Sequence, residues 1–251
     1  MIAIEGVTKT YGKRIVLAST TLSFPPQATT VLIGPSGCGK STLLRLIVGL
    51  ISPDTGRVLL EGQELTPANA NTLRHKIGYV IQDGGLFPHL SAAANVTLLA
   101  RYLKRPALAL AQRLQELCDL VRLSPKDLNR YPKDLSGGQR QRVGIMRALM
   151  LDPPILLLDE PLGALDPITR SQLQTELKNI FTLLDKTVVL VTHDMGEAAY
   201  FGDEIILMRQ GQIVQRGSLT DLLQRPAEPY VTDFIQAQRS PLATLEAGFT
   251  T

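Results

Sequence analysis

The fold class predicted from this sequence is α/β: a mainly parallel sheet bearing a phosphate-binding loop, accompanied by an antiparallel β subdomain and a helical insert. Three observations predict it. Residues 34–42 (Gly34, Pro35, Ser36, Gly37, Cys38, Gly39, Lys40, Ser41, Thr42) carry the spacing Gly-x4-Gly-Lys-Ser between an apolar run, Ala28–Ile33, and an apolar-faced helical segment, Ser41–Val48. In the second half, apolar strand-like runs alternate with amphipathic helical ones, as a parallel sheet requires. Between about 91 and 150 the apolar residues recur at three-to-four spacing, so that stretch is mostly helical.

The elements follow in order. Residues 1–33 and 57–65 are rich in β-branched residues and punctuated by Gly12, Pro25, Pro26, Gly56 and Gly62, which suits short antiparallel strands. Ile77–Ile81 reads as a further buried strand. Arg101–Leu123 and Gln139–Leu151 read as helices of an insert spanning about 88–150. Strand-like runs return at Ile155–Leu158, Thr187–Val191, Glu204–Met208 and Gln212–Gln215, with helices at Ile168–Leu184 and Leu219–Arg225. Residues 1–239 are expected to form one nucleotide-binding domain, and 240–251 a poorly ordered tail.

Composition narrows the function classes. The chain has 251 residues, 44% hydrophobic, enough for a large α/β core with a subdomain. A net charge of +3 with no basic stripe argues against a nucleic-acid partner. Cys38 and Cys118 form no disulfide framework. No run reaches the roughly 18 apolar residues that span a bilayer, and the N-terminus lacks a signal peptide's basic head and apolar stretch. The expectation is a soluble cytosolic chain whose membrane role, if any, comes through a partner.

The phosphate loop carries the first chemistry. Its glycines let successive N–H groups turn inward toward phosphate oxygens, and the helix N-terminus adds partial positive charge. Lys40 is placed to reach the β- and γ-phosphates, and the Ser41 hydroxyl to ligate Mg2+. The second is Asp159 and Glu160, which follow four apolar residues at a strand's carboxyl end, where open α/β sheets bind ligands. Asp159 is placed to hold Mg2+, and Glu160 to deprotonate the attacking water. The third is Ser136, Gly137, Gly138 and Gln139. Ser136 and Gln139 make a capping box, yet two glycines in a first helical turn cost about 1 kcal/mol each. Close approach of another molecule explains them, so this helix start reads as a second phosphate site, serving the nucleotide of a second copy.

These motifs resemble those of ATP-binding subunits of ABC transporters, a P-loop NTPase family with a RecA-like core, over essentially all of residues 1–240. Leu135-Ser-Gly-Gly-Gln139 matches the family signature without departure. The resemblance implies further roles: Tyr11 stacking on adenine, Gln82 contacting Mg2+ and linking to the membrane partner, Asp166 in the loop crossing the dimer interface, and His193 contacting the γ-phosphate. It implies ATP and Mg2+ as cofactors and a head-to-tail pair of copies with two ATP between them. It also implies transmembrane permease subunits as partners, a substrate-binding protein acting indirectly, and a peripheral location on the cytoplasmic face of a bacterial membrane. Glu160, His193 and Lys40 are the expected catalytic set; Ser41, Gln82 and Asp159 the expected metal set.

Longer stretches, His75–His89, Arg130–Leu135 and Gly163–Arg170, resemble the ATPases of bacterial osmoprotectant importers for glycine betaine, choline or related quaternary amines. Many of that group carry a C-terminal regulatory extension, and this chain stops about where the catalytic domain ends. An importer of another amine or amino acid is the alternative within the class. Non-transport ABC-type ATPases are a different class, but no coiled-coil insert, zinc-spaced cysteines or second cassette is present here. Cys38, among inward-facing amides at a helix start, is expected to favour its thiolate.

Overall fold

The computed structural model describes residues 1–238; the expected tail, Ser240–Thr251, lies outside them. Two sheets form the frame. The first has the order β2-β1-β4-β5 and is antiparallel: β1 (Ile2–Tyr11), β2 (Arg14–Phe24), β4 (Thr55–Leu60) and β5 (Gln63–Glu64). The second has the order β10-β9-β3-β8-β7-β6: β3 (Thr29–Ile33), β6 (Ile77–Val80), β7 (Ile155–Asp159), β8 (Thr187–Val191), β9 (Glu204–Arg209) and β10 (Gln212–Gly217). All its neighbours run parallel except β10 against β9.

The apolar runs are explained by burial on both faces. Val31, Ile33, Leu156, Leu158, Val188 and Leu190 enter one core layer. Leu32, Ile155, Leu157, Val189 and Val191, alternating with them, enter the other. Nine helices are described: α1 (Lys40–Ile47), α2 (Ala70–Arg74), α3 (Ala92–Tyr102), α4 (Ala107–Leu120), α5 (Gly137–Leu149), α6 (Pro167–Leu184), α7 (Met195–Phe201), α8 (Leu219–Gln224) and α9 (Pro229–Ala237).

Several expectations are corrected. The strands of residues 1–24 are long, 10 and 11 residues, and Thr29–Ile33 is central in the parallel sheet because both its faces are apolar. Arg101–Leu123 is not one helix. Lys104 takes φ +55°, and Pro106, which disfavours helical backbone at the residue before it, splits the stretch. Its first helix begins earlier, at Ala92, where the fully buried Asn95 side chain bonds the backbone N–H and carbonyl of Phe87 and the carbonyls of Leu90 and Ser91. The expected helix at Gln139 starts two residues sooner, since Ser136 caps it. The strand at Ile155 includes Asp159, which pairs with Val191. The short helices α2, α7 and α9 were not anticipated, having too few turns to show a period.

Candidate active site

β3 delivers its chain into the phosphate loop at the sheet's carboxyl edge, and α1 leaves from it. Two glycines there are steric necessities. A Cβ on Gly34 (φ +149°) would lie 2.2 Å from the Met208 carbonyl oxygen, and one on Gly39 (φ +114°) 2.8 Å from that of Val16. Gly39 also occupies the N-cap of α1 without a side-chain cap, leaving first-turn amides for an anion. Lys40 is buried, its ammonium donating to the carbonyls of Gly34 at 2.7 Å and Pro35 at 3.1 Å. The cation is thus held over the loop where phosphate charge would accumulate.

A cavity of about 320 Å³ opens over the loop. Tyr11, Ser36, Gly37, Lys40, Thr42 and Glu160 are among its lining residues. Tyr11 is half-exposed at the end of β1. Arg14 also lines it and donates to the Gly37 carbonyl at 3.3 Å.

The metal-binding expectation is tested by Ser41 and Asp159. The Ser41 hydroxyl donates to Asp159 Oδ1 at 2.9 Å, so two hard oxygen donors from α1 and β7 converge, the chemistry Mg2+ selects. Burial pushes the Asp159 carboxyl above its ordinary range, opposed by the Ser41 hydrogen bond and reinforced by neighbouring Glu160. A cation there would relieve that cost. Tyr79 donates to the other oxygen, Oδ2, at 3.5 Å, and its phenol is pushed up to about 12 by burial and then by Asp159's charge.

Glu160 stands one residue beyond the strand, at φ +48°. Its N–H donates to the Val191 carbonyl at 2.9 Å, which ties the end of β7 to that of β8. His193, two residues beyond β8, brings Nδ1 to 3.5 Å from Glu160 Oε2. A carboxylate and an imidazole therefore share one sheet edge facing the phosphate loop. A non-glycine residue in left-handed backbone is a strain that the surrounding structure must sustain, and such strain gathers at functional sites.

The expected capping box is present. Ser136 Oγ accepts from the Gln139 N–H at 3.2 Å, Gln139 Oε1 accepts from the Ser136 N–H at 2.8 Å, and Gln139 Nε2 donates to Asp127. Gly138 has a reason inside the chain as well: a Cβ there would meet Thr169 Cγ2 of α6 at 2.6 Å. None of Ser136, Gly137, Gly138 and Gln139 lines the phosphate-loop cavity. Gly137 instead shares a second cavity of about 90 Å³ with Glu160, Pro161 and Leu165.

Asp166 is exposed and caps α6, Oδ1 accepting from the Thr169 N–H at 3.0 Å; bonds from Thr169 hold its carboxyl below the usual range. Gln82 opens a 3₁₀ turn after β6 with its side chain exposed, and it does not line the cavity. The Cys38 expectation fails: the thiol is buried, and desolvation pushes it up more than nearby Lys40 pulls it down. Sequence reasoning missed Arg14, Tyr79 and Arg45, whose charge acts on Asp159. Arg45 was findable, standing four residues after Ser41 and so on the same helix face. Tyr79, inside an apolar strand, reads only as core.

Residues 17–163 match a family model described as ABC transporter. The chain is 44% identical over 240 residues to the choline transport ATP-binding protein OpuBA of Bacillus subtilis (strain 168), covering 95% of this chain and 63% of that protein. It is 43% identical over 234 residues to the glycine betaine uptake system ATP-binding protein YehX of Escherichia coli (strain K12), covering 93% and 76%. Among solved structures, a dimeric post-hydrolysis state of the ATP-binding cassette MJ0796 bound to ADP and Pi superposes with a TM-score of 0.80 at 35% identity, covering 87% of this chain and 99% of that one.

Proposed function

Since the chain belongs to the ABC transporter family, we propose that it is an ATPase subunit driving a membrane importer of choline- or glycine betaine-type osmoprotectants. One observation carries the hydrolytic part: Glu160 and His193 meet at 3.5 Å beside a phosphate loop whose Ser41 bonds Asp159. The substrate class rests on what OpuBA and YehX are named for.

In this reading residues 1–239 are the nucleotide-binding domain and about 88–150 its helical insert. Tyr11 stacks on adenine, the amides of Ser36–Thr42 and the Lys40 ammonium bind phosphates, and Glu160 takes the proton of the attacking water while His193 steadies the γ-phosphate. Ser41 and Asp159, together with Gln82, would hold Mg2+. Among the described residues no three His, Cys, Asp or Glu form a metal site. Bound there, Mg2+ supplies neutralisation of the charge that develops on the transferred phosphoryl group.

A second copy, head to tail, presents its own signature segment, equivalent to Ser136–Gln139, and Asp166 crosses the seam. That segment does not line the chain's own phosphate-loop cavity and reaches Glu160 only through the smaller cavity at Gly137, which supports this arrangement. No described helix is long and apolar enough to cross a membrane; in this reading the permease supplies the passage and holds the subunit at the cytoplasmic face, with a binding protein delivering solute from outside. An apolar groove of about 800 Å³, lined in part by Ile81, Phe87, Leu98, Leu99 and Tyr102 and beginning next to Gln82, supports a permease dock on the insert. The test is reconstitution with the permease encoded beside it and uptake of labelled choline and glycine betaine. Binding-protein-dependent uptake abolished by Glu160→Gln is expected; transport of an unrelated solute alone overturns the substrate class.

A further inference from the structure

His193 is 57% exposed at its side chain, an unpromising condition for a group that must meet a phosphate oxygen at a fixed place. With more than half of its side chain exposed, the ring takes its aim from the backbone on either side. Thr192, before it, is anchored to the sheet by its N–H, which donates to the Leu32 carbonyl at 3.1 Å. The Thr192 hydroxyl is bonded twice: it donates to Glu197 Oε2 at 2.5 Å and accepts the Asp194 N–H at 3.1 Å. One hydroxyl therefore bridges across His193, closing the turn in which the imidazole sits.

Glu197 lies in the first turn of α7 and is 6% exposed. Burying a carboxyl is costly unless its bonds are strong, and its one described side-chain hydrogen bond goes to Thr192. The start of α7 is held from elsewhere too. Asp194 Oδ1 caps the N–H groups of Gly196 and Glu197, and the Met195 N–H donates to Gln238 Oε1 beyond α9 at 2.7 Å. The groups facing Glu197 are Asp194, His193 and, from α6, Arg170. Each end of the His193 turn is thus fastened, one to the sheet and one to a helix, and the Thr192–Glu197 bond joins the two fastenings.

We propose that Glu197 is a positioning residue: through the Thr192 hydroxyl it locks the turn that aims His193 at Glu160 and the γ-phosphate. In this role Glu197 acts through Thr192 and His193 and not on the nucleotide itself. It lets an exposed imidazole occupy one place without the ordering cost being met at each turnover, and misplacement by about 1 Å costs on the order of 10²-fold in rate.

The proposal rests on the hydrolytic reading above, and the test separates the two. ATP turnover is measured on the full chain for wild type, E160Q, H193A, E197A, E197Q and the double variant H193A/E197A, alongside ATP affinity. Ring signals of the three histidines, assigned by H193A, are followed by NMR. E197A is expected to lower kcat by about 10- to 100-fold at near-unchanged ATP affinity. E197Q, whose amide oxygen still accepts from Thr192, should restore it, and E197A should add nothing in the H193A background. E160Q should shift the His193 ring signal in the wild-type background and not in E197A.

Equal loss with and without His193, loss of ATP affinity instead of kcat, or a His193 signal that still senses Glu160 in E197A overturns the proposal. If E197A does not fold, T192V decides by the same readouts. A wild-type chain without E160Q-sensitive hydrolysis defeats the ATPase reading, while the ring signals still decide the positioning.

Discussion

Replacing Glu160 by glycine and by glutamine separates what the residue does from what it costs. At φ +48° Glu160 occupies left-handed backbone, which costs a non-glycine residue about 1–2 kcal/mol. Glycine escapes that cost but gives back about 0.5–1 kcal/mol through its freer unfolded state. The side chain's contact with His193, at 3.5 Å and more than half exposed on the histidine side, adds little. Glu160→Gly should therefore be more stable than wild type by about 0.5–1 kcal/mol, a rise of roughly 1–3 °C in Tm for a chain this long. Glu160→Gln keeps the strain and should match wild type within about 0.5 kcal/mol. Both should lose turnover by about 10²- to 10⁴-fold. With no tryptophan in the chain, circular dichroism melts report stability and phosphate release reports turnover. A glycine variant less stable than the glutamine variant refutes the strain argument; normal turnover in the glutamine variant refutes the general base.

Lys40→Ala, which removes the buried ammonium held over the loop, should weaken ATP binding by about 10- to 100-fold, measured by titration calorimetry. Cys38 and Cys118 are both buried, with thiols raised by desolvation, so iodoacetamide at neutral pH should leave the native chain unmodified by mass and label both after denaturation; rapid native labelling of Cys38 would restore the thiolate expectation. The Asp54 carboxyl is held at about 2 by hydrogen bonds from Lys9 and Thr10. Because its folded value is depressed, its contribution is complete above the unfolded value near 4 and fades as pH falls through about 2. The stability gap between wild type and Asp54→Asn should then stay constant from pH 7 to about 4 and close below it, by urea melts at each pH.

Motifs whose spacing is local were legible without coordinates. Gly34–Thr42 must form a loop of that shape because a phosphate and a helix start demand it. The apolar run ending in Asp159 and Glu160 must reach the sheet edge, and Ser136 with Gln139 must cap a helix, since each bond spans three residues. Long-range geometry was decided only by the folded chain. The strain at Glu160, the Tyr79–Asp159 contact across 80 residues, the close fit of Thr169 over Gly138 and the burial that neutralises Cys38 all depend on which strands become neighbours. Spacing along a chain reports bonds a few residues long. Burial, and the desolvation that sets how a carboxyl or thiol behaves, is a property of the atoms packed around a group, and most of those arrive from distant parts of the sequence.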